Sequence, residues 1–167
     1  LNSSVETVPL YEARNMACSH ARGEYIAFID VDDRWTIDKL EYAASYIERF
    51  SPTALFTNYR KVYDGHDVAQ VGEVALSMTS EKTYNLDEMV SSYPVCMSTL
   101  VVARDALTEN LFNPMFDIIG DFDLVLRLSA FGSVIYVPHV GTDYLVHRNN
   151  LSKLRARQWT DELLWLC

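Results

Sequence analysis

The chain has 167 residues, 49% of them hydrophobic and 22% charged, enough apolar material for the core of one soluble domain. Fourteen Lys plus Arg against 23 Asp plus Glu give a formal charge of -9, which argues against a nucleic-acid-backbone binder because that role needs a basic face. A negatively charged small ligand stays compatible with this acidity, since a divalent cation can sit between carboxylates and a phosphate.

Three cysteines (Cys18, Cys96 and Cys167) with no C-x-x-C pair argue against a disulfide-stapled module and favour a reducing compartment. The opening Leu1–Glu6 has neither the basic nor the apolar region of a secretory signal. The longest uncharged run, Met89 to Ala103, is too short and too broken by Ser and Pro to span a membrane.

In chain order, a first helix is expected over Glu12 to Ala21, stopped by Gly23. Tyr25 to Ile29 is a continuous apolar run, the pattern of a strand buried on both faces, and it ends abruptly at Asp30-Val31-Asp32-Asp33. Ile37, Leu40, Ala44 and Ile47 then mark the apolar stripe of an amphipathic helix closed by Pro52, and Ala54 to Asn58 reads as a second buried strand. This alternation is the rhythm of βαβ units on a parallel sheet.

Tyr59 to Glu88 is polar and mixed, a hairpin or excursion, and Thr99 to Ala103 is a further strand. A helix follows over Asp121 to Phe131, with Leu124, Leu128 and Phe131 on one face and Gly132 as its stop. Val134 to Val137 and Tyr144 to His147 are short strands. Leu151 to Leu166 is a terminal amphipathic helix whose Trp159 and Trp165 are expected in the core, with contact to an anionic membrane surface as the other use.

Chemistry concentrates at two places. Three carboxylates in four residues repel one another, and in open α/β sheets ligands bind just beyond the carboxyl ends of strands. Hard divalent cations prefer such oxygens, so D-x-D after a buried strand suits a metal–diphosphate site. The plainer reading is a helix cap by Asp33 or Thr36. An EF-hand fails, because Arg34 and Trp35 stand where Asp or Asn and then Gly are required. The second place is Gly120-Asp121-Phe122-Asp123-Leu124, where a carboxylate at a helix start either caps the helix or serves as a general base. No G-x-S-x-G elbow, G-x-G-x-x-G turn or Walker loop is present, and His20, His66 and His139 show no ligand spacing.

Three stretches in order carry a resemblance: Ala13-Arg14-Asn15 with Ala21 to Trp35 and Lys39-Leu40-Glu41; Gly120 to Leu128; and Tyr144-Leu145-Val146-His147 with Asn150-Leu151-Ser152. Together they resemble the family 2 glycosyltransferases, whose fold is GT-A. The resemblance implies an α/β, Rossmann-like mixed sheet flanked by helices, here as one catalytic domain over residues 1–167 with a C-terminal helix at 151–166. It also implies truncation at the N-terminus, because members open with roughly one and a half β-α units ahead of the loop before Arg14.

By the same resemblance, Asp30 and Asp32 contact the ribose and the diphosphate-bound Mn²⁺ or Mg²⁺. Arg14, Asp33, Asp123 and His147 join them around the nucleotide sugar, and Asp121 is the catalytic base. Gly120 departs from the family, where Glu is common. The activity implied is inverting, metal-dependent transfer of a sugar from a nucleotide-diphosphate donor to a hydroxyl on a glycan or lipid-linked acceptor, in surface polysaccharide synthesis. It would act in the cytoplasm, at the inner face of the membrane, with peripheral membrane contact and homo-oligomerisation as further expectations and no nucleic-acid partner. The alternative is a catalytically incompetent GT-A-like fragment that binds a metal or a partner.

Overall fold

A computed structural model describes residues 8–63, 70–109, 111–150 and 154–166. The chain runs α1 (Leu10–His20), β1 (Tyr25–Ala27), β2 (Arg34–Trp35), α2 (Lys39–Phe50), β3 (Ala54–Tyr63), β4 (Gln70–Val74), β5 (Lys82–Tyr84) and α3 (Leu86–Ser91). A 3₁₀ turn (Met97–Thr99) then leads into β6 (Leu100–Ala103), α4 (Arg104–Glu109), α5 (Gly120–Phe131), β7 (Val134–Val146) and α6 (Ala156–Leu166).

The strands form one mixed sheet ordered β1-β6-β3-β7-β2, with β4 added to β3 and β5 to β7. Among the described residues only β3 and β7 pair in parallel, from Ala54 opposite Val134 to Tyr63 opposite Val146; the other pairings are antiparallel. The expectation of a parallel sheet is corrected accordingly: β1 and β3 run the same way, but antiparallel β6 lies between them. The two short strands expected at Val134 and Tyr144 are one strand, and β1 is half-buried, pairing with β6 alone among the described residues.

Alternation on the central strands explains their unbroken apolar runs. Ala54 and Phe56, Leu100 and Val102, and Val134 and Tyr136 face one core, which Tyr11 of α1, Met89 of α3 and Leu124 and Leu128 of α5 complete. Leu55, Val101, Ile135 and Val137 face the other, under Ala43, Tyr46 and Ile47 of α2. Strands covered on both sides have no polar face to alternate with.

Two helices turn differently from their apolar patterns. In α2 the buried positions are Lys39 and Ala43, whereas Ile37, Leu40 and Ala44 face solvent. The helix starts at Lys39, so Ile37 precedes it. Its first turn presses on β7, where a Cβ added at Gly141 would lie 2.9 Å from Lys39 Cγ. In α6, Trp159 and Trp165 are 42% and 83% exposed and not in the core, because the inward face belongs to the polar pair Gln158 and Glu162. Residues 151–153 of the expected terminal helix lie outside the described residues. No described helix is long and apolar enough to cross a membrane.

Lys39 is wholly buried, with its Nζ 4.6 Å from the Trp35 ring centroid and 3.5 Å from the Thr99 carbonyl. Desolvation pushes its ammonium down to about 8. A base depressed on folding binds fewer protons in the folded state, so stability rises as pH climbs from about 8 toward the unfolded value of about 10.4. Urea melts across that window should show this rise in the wild-type protein and a flatter profile in Lys39→Met.

Candidate functional site: an acidic loop and a partly buried aspartate

The loop leaving β1 sends its three carboxylates in different directions. Asp33 turns inward: its Oδ2 accepts the Ser98 hydroxyl at 2.5 Å and its Oδ1 accepts the Leu145 N–H at 3.0 Å. Burial lifts this carboxyl above its ordinary range, and the two hydrogen bonds partly offset the effect. Ser98, itself wholly buried, also accepts the Asp30 N–H on its hydroxyl oxygen at 2.9 Å. Its carbonyl accepts Trp35 Nε1 at 2.8 Å and the Thr142 hydroxyl at 3.1 Å. One serine on the 3₁₀ turn therefore fixes both ends of the acidic loop.

Asp32 and Asp30 face outward. The Nε2 of His147 lies 2.8 Å from Asp32 Oδ2. The Asn149 N–H, 3.1 Å from Nδ1, occupies the other ring nitrogen, so in the neutral ring the proton sits on Nε2 and points at Asp32. Asn150 holds this corner in place, its Oδ1 accepting the His147 N–H at 2.6 Å and its Nδ2 donating to the Leu145 carbonyl at 3.1 Å. Asp30 Oδ1 takes Arg14 Nη2 at 2.5 Å. The Arg14 guanidinium lies 5.5 Å from the Tyr11 ring centroid and 5.6 Å from that of Phe112.

Asp121, in the first turn of α5, is reached from the same helix that carries Arg14. The Tyr11 hydroxyl donates to the Ile118 carbonyl at 2.7 Å and lies 3.3 Å from Asp121 Oδ1, which also accepts the Phe122 N–H at 2.9 Å. Asn15 locks α1 to the loop ahead of α5 through a reciprocal pair with the Phe112 backbone, at 2.8 and 2.9 Å. Burial raises the Asp121 carboxyl, the Arg14 charge opposes that rise and Asp30 adds to it. A carboxylate so placed is a better proton acceptor than one in water.

Asp33 and Thr36 do not cap α2, whereas Asp121 does satisfy one first-turn N–H of α5, that of Phe122. The N-cap position of α2 is Asp38 and that of α5 is Ile119, and neither makes a side-chain cap bond. The N–H groups before α5 are taken instead by Glu162 from α6. Gly120 has a steric reason: a Cβ there would lie 2.6 Å from the Tyr11 ring, so that ring fills the space a glutamate would need.

The structure thus brings Arg14, Asp30, Asp32 and His147 together and ties Asp121 to them through α1. It commits Asp123 elsewhere, to a 2.8 Å ion pair with Arg127 one turn along α5. Tyr11, Asn15, Ser98 and Glu162 were not among the candidates. Ser98 lies in a run that reads only as mixed polar and apolar sequence, and nothing local distinguishes it.

Among the described residues no three His, Cys, Asp or Glu side chains converge to hold a metal ion. Asp30 and Asp32 supply hard oxygen donors on a turn at a strand end, but each is already answered by a partner. That set fits a cation shared with a ligand's phosphates better than a protein-only cage.

Comparison with known proteins places the chain in a family and a fold. The profile described as Glycosyl transferase family 2 matches residues 7–112, which include Arg14, the acidic loop and Ser98. The chain belongs to glycosyl transferase family 2. It is 29% identical over 123 residues to the amylovoran biosynthesis glycosyltransferase AmsB of Erwinia amylovora, covering 72% of this chain and 41% of AmsB. It is 28% identical over 147 residues to WfaP of Escherichia coli, a UDP-Glc:alpha-D-GlcNAc-diphosphoundecaprenol beta-1,3-glucosyltransferase, covering 87% of this chain and 55% of WfaP. The chain therefore spans about half the length of these relatives or less. In structure it matches S. aureus TarS 1-349 in complex with UDP at a TM-score of 0.61 and 19% identity, over 90% of this chain and 44% of TarS. The fold is that of a GT-A glycosyltransferase.

The inward Asp33 and the outward Asp32 should separate in stability measurements. Ser98→Ala should cost about 1–3 kcal/mol, because it strands Asp33 and the Asp30 N–H, and Asp33→Ala at least as much. Asp32→Ala, which loses only a half-exposed pair, should cost under about 1 kcal/mol. Urea denaturation of the three variants checks this order, and equal losses would refute the inward role of Asp33.

Proposed function

We propose that this chain forms part of a metal-dependent, inverting glycosyltransferase that takes a sugar from a UDP-sugar and places it on a glycan or lipid-linked hydroxyl. The observation that carries the reading is the pairing of an outward Asp30–Asp32 loop with the partly buried Asp121, both tied to α1. The UDP complex of TarS and the UDP-glucose donor named for WfaP support the nucleotide, and the diphosphoundecaprenol named for WfaP supports the lipid-linked acceptor.

Asp30 and Asp32 would hold Mn²⁺ or Mg²⁺, with His147 beside them. When bound, the cation offsets charge on the diphosphate as it leaves. Arg14 adds fixed positive charge at the same end of the sheet. Asp121 takes the proton of the acceptor hydroxyl while that oxygen bonds to the anomeric carbon, and the bond from that carbon to the diphosphate oxygen breaks on the opposite face. UDP leaves and the anomeric centre inverts. Asp33, turned onto Ser98, braces the acidic loop from within, and Asp123 is engaged by Arg127.

Transfer should be measured on the full-length protein with UDP-glucose, Mn²⁺ and a GlcNAc-diphospho-lipid acceptor. Asp121→Asn should lower kcat by about 10²–10⁴-fold with UDP binding retained, and Asp32→Ala should lose the thermal stabilisation that Mn²⁺ plus UDP gives the wild type. An Asp121→Asn enzyme as fast as wild type would refute the assignment.

A pH effect follows from the raised Asp121 carboxyl. A group whose folded pKa lies above its unfolded value opposes folding once ionised, so stability falls as pH rises through the window between the two. Asp121→Asn should therefore melt higher than wild type at pH 7.5, with the gap closing as the pH is lowered. A lower Tm for this variant at pH 7.5 would contradict it.

A further inference from the structure

The turn Asp117–Ile119 ahead of α5 presents three backbone N–H groups, and Glu162 of α6 takes all of them. Its Oε1 accepts from Asp117 at 3.0 Å, and its Oε2 accepts from Ile118 at 3.0 Å and Ile119 at 3.1 Å. Gln158, one turn earlier, donates to Glu162 Oε1 at 3.1 Å and to Asp117 Oδ2 at 2.9 Å, so the carboxylate is itself held.

The peptide joining Ile118 to Ile119 is gripped from both sides. Its N–H goes to Glu162, and its carbonyl receives the Tyr11 hydroxyl at 2.7 Å. A tyrosine hydroxyl has one proton to give. While that proton is on the Ile118 carbonyl, Asp121 Oδ1, 3.3 Å from the same hydroxyl oxygen, goes without it.

We propose that Glu162 is a positioning residue for Asp121: by clamping the Ile118–Ile119 peptide it keeps the Tyr11 proton on the Ile118 carbonyl and leaves Asp121 unquenched as a base. The kinetic consequence rests on the role of Asp121 proposed above, whereas the electrostatic one does not.

The groups facing Asp121 are Tyr11 and Arg14 from α1, Asp30 from the acidic loop, and Tyr93 and Cys96 from the segment between α3 and β6. Arg14 and Asp30 are paired with each other. Burial holds the Tyr93 and Cys96 protons in place, pushing the Cys96 thiol up to about 12. The Tyr11 proton is the donor with two acceptors in reach.

The test follows the Asp121 carboxyl carbon by ¹³C NMR in the full-length protein, its signal assigned by its loss in Asp121→Asn. Glu162→Ala should shift its titration to lower pH, because the freed peptide rotates and Tyr11 turns its proton to Asp121. Glu162→Gln keeps an oxygen against the Ile118 and Ile119 N–H groups and should titrate close to wild type. In a Tyr11→Phe background, Glu162→Ala should shift nothing further.

Equal shifts in the Ala and Gln variants would make charge the cause and overturn the proposal. A shift that survives Tyr11→Phe, or an unmoved titration in Glu162→Ala, would overturn it as well. In transfer from UDP-glucose, Glu162→Ala should lower kcat about tenfold with donor KM unchanged, the mark of a displaced base. A wild type that transfers no sugar refutes the function and leaves the NMR result to decide this point.

Discussion

The hydrogen bond from the Ser98 hydroxyl to Asp33 is the contact on which the acidic loop depends. Three carboxylates in four residues cannot all face the same solvent without mutual repulsion. Turning Asp33 inward removes one of them and converts it into a strut between the 3₁₀ turn and β7. The same serine ties down the Asp30 N–H and, through its carbonyl, Trp35 and Thr142. The loop therefore leaves a half-buried strand with its backbone fixed, and Asp30 and Asp32 project in set directions toward Arg14 and His147.

Helix α1 joins this loop to the second carboxylate site. Tyr11, Arg14 and Asn15 stand at i, i+3 and i+4, so they share one face. From that face Arg14 reaches Asp30, Tyr11 reaches Ile118 and Asp121, and Asn15 clamps Phe112. The Tyr11 ring also stacks on Phe112, at 5.4 Å between centroids, and excludes any side chain at position 120. A change at Tyr11 therefore acts on both sites at once, whereas a change at Ser98 acts first on the loop.

The central strands were legible because burial on both faces leaves an uninterrupted apolar signature, as in Ala54 to Phe56 and Val134 to Val137. Arg14, Asp30, Asp32, Asp121 and His147 were legible as motifs in a set order. The face of α2 was not, because it buries Lys39 over Trp35 and leaves Ile37 outside the helix, the reverse of what hydrophobicity favours. The tryptophans of α6 misled for a related reason: its inward face is polar, since what it meets is a row of backbone N–H groups and not a core. Ser98, Tyr11 and Glu162 act through partners 43 or more residues away in sequence, and nothing in a serine, tyrosine or glutamate alone announces such a partner.

The acidity of the chain divides along the same lines. Asp30, Asp32, Asp33, Asp121 and Asp123 are engaged in different ways. Asp30 has Arg14, Asp32 has His147, Asp123 has Arg127, and Asp33 has Ser98 and the Leu145 N–H. Asp121 has no ion pair among the described residues, and burial raises its carboxyl. A carboxylate that is to bind a cation is best kept ionised, accessible and paired with partners it can exchange. One that is to accept a proton is best enclosed and poorly solvated. In the roles proposed above the two call for opposite environments, and α1 serves both, its Arg14 pairing with Asp30 and its Tyr11 hydroxyl donating to the Ile118 carbonyl beside Asp121.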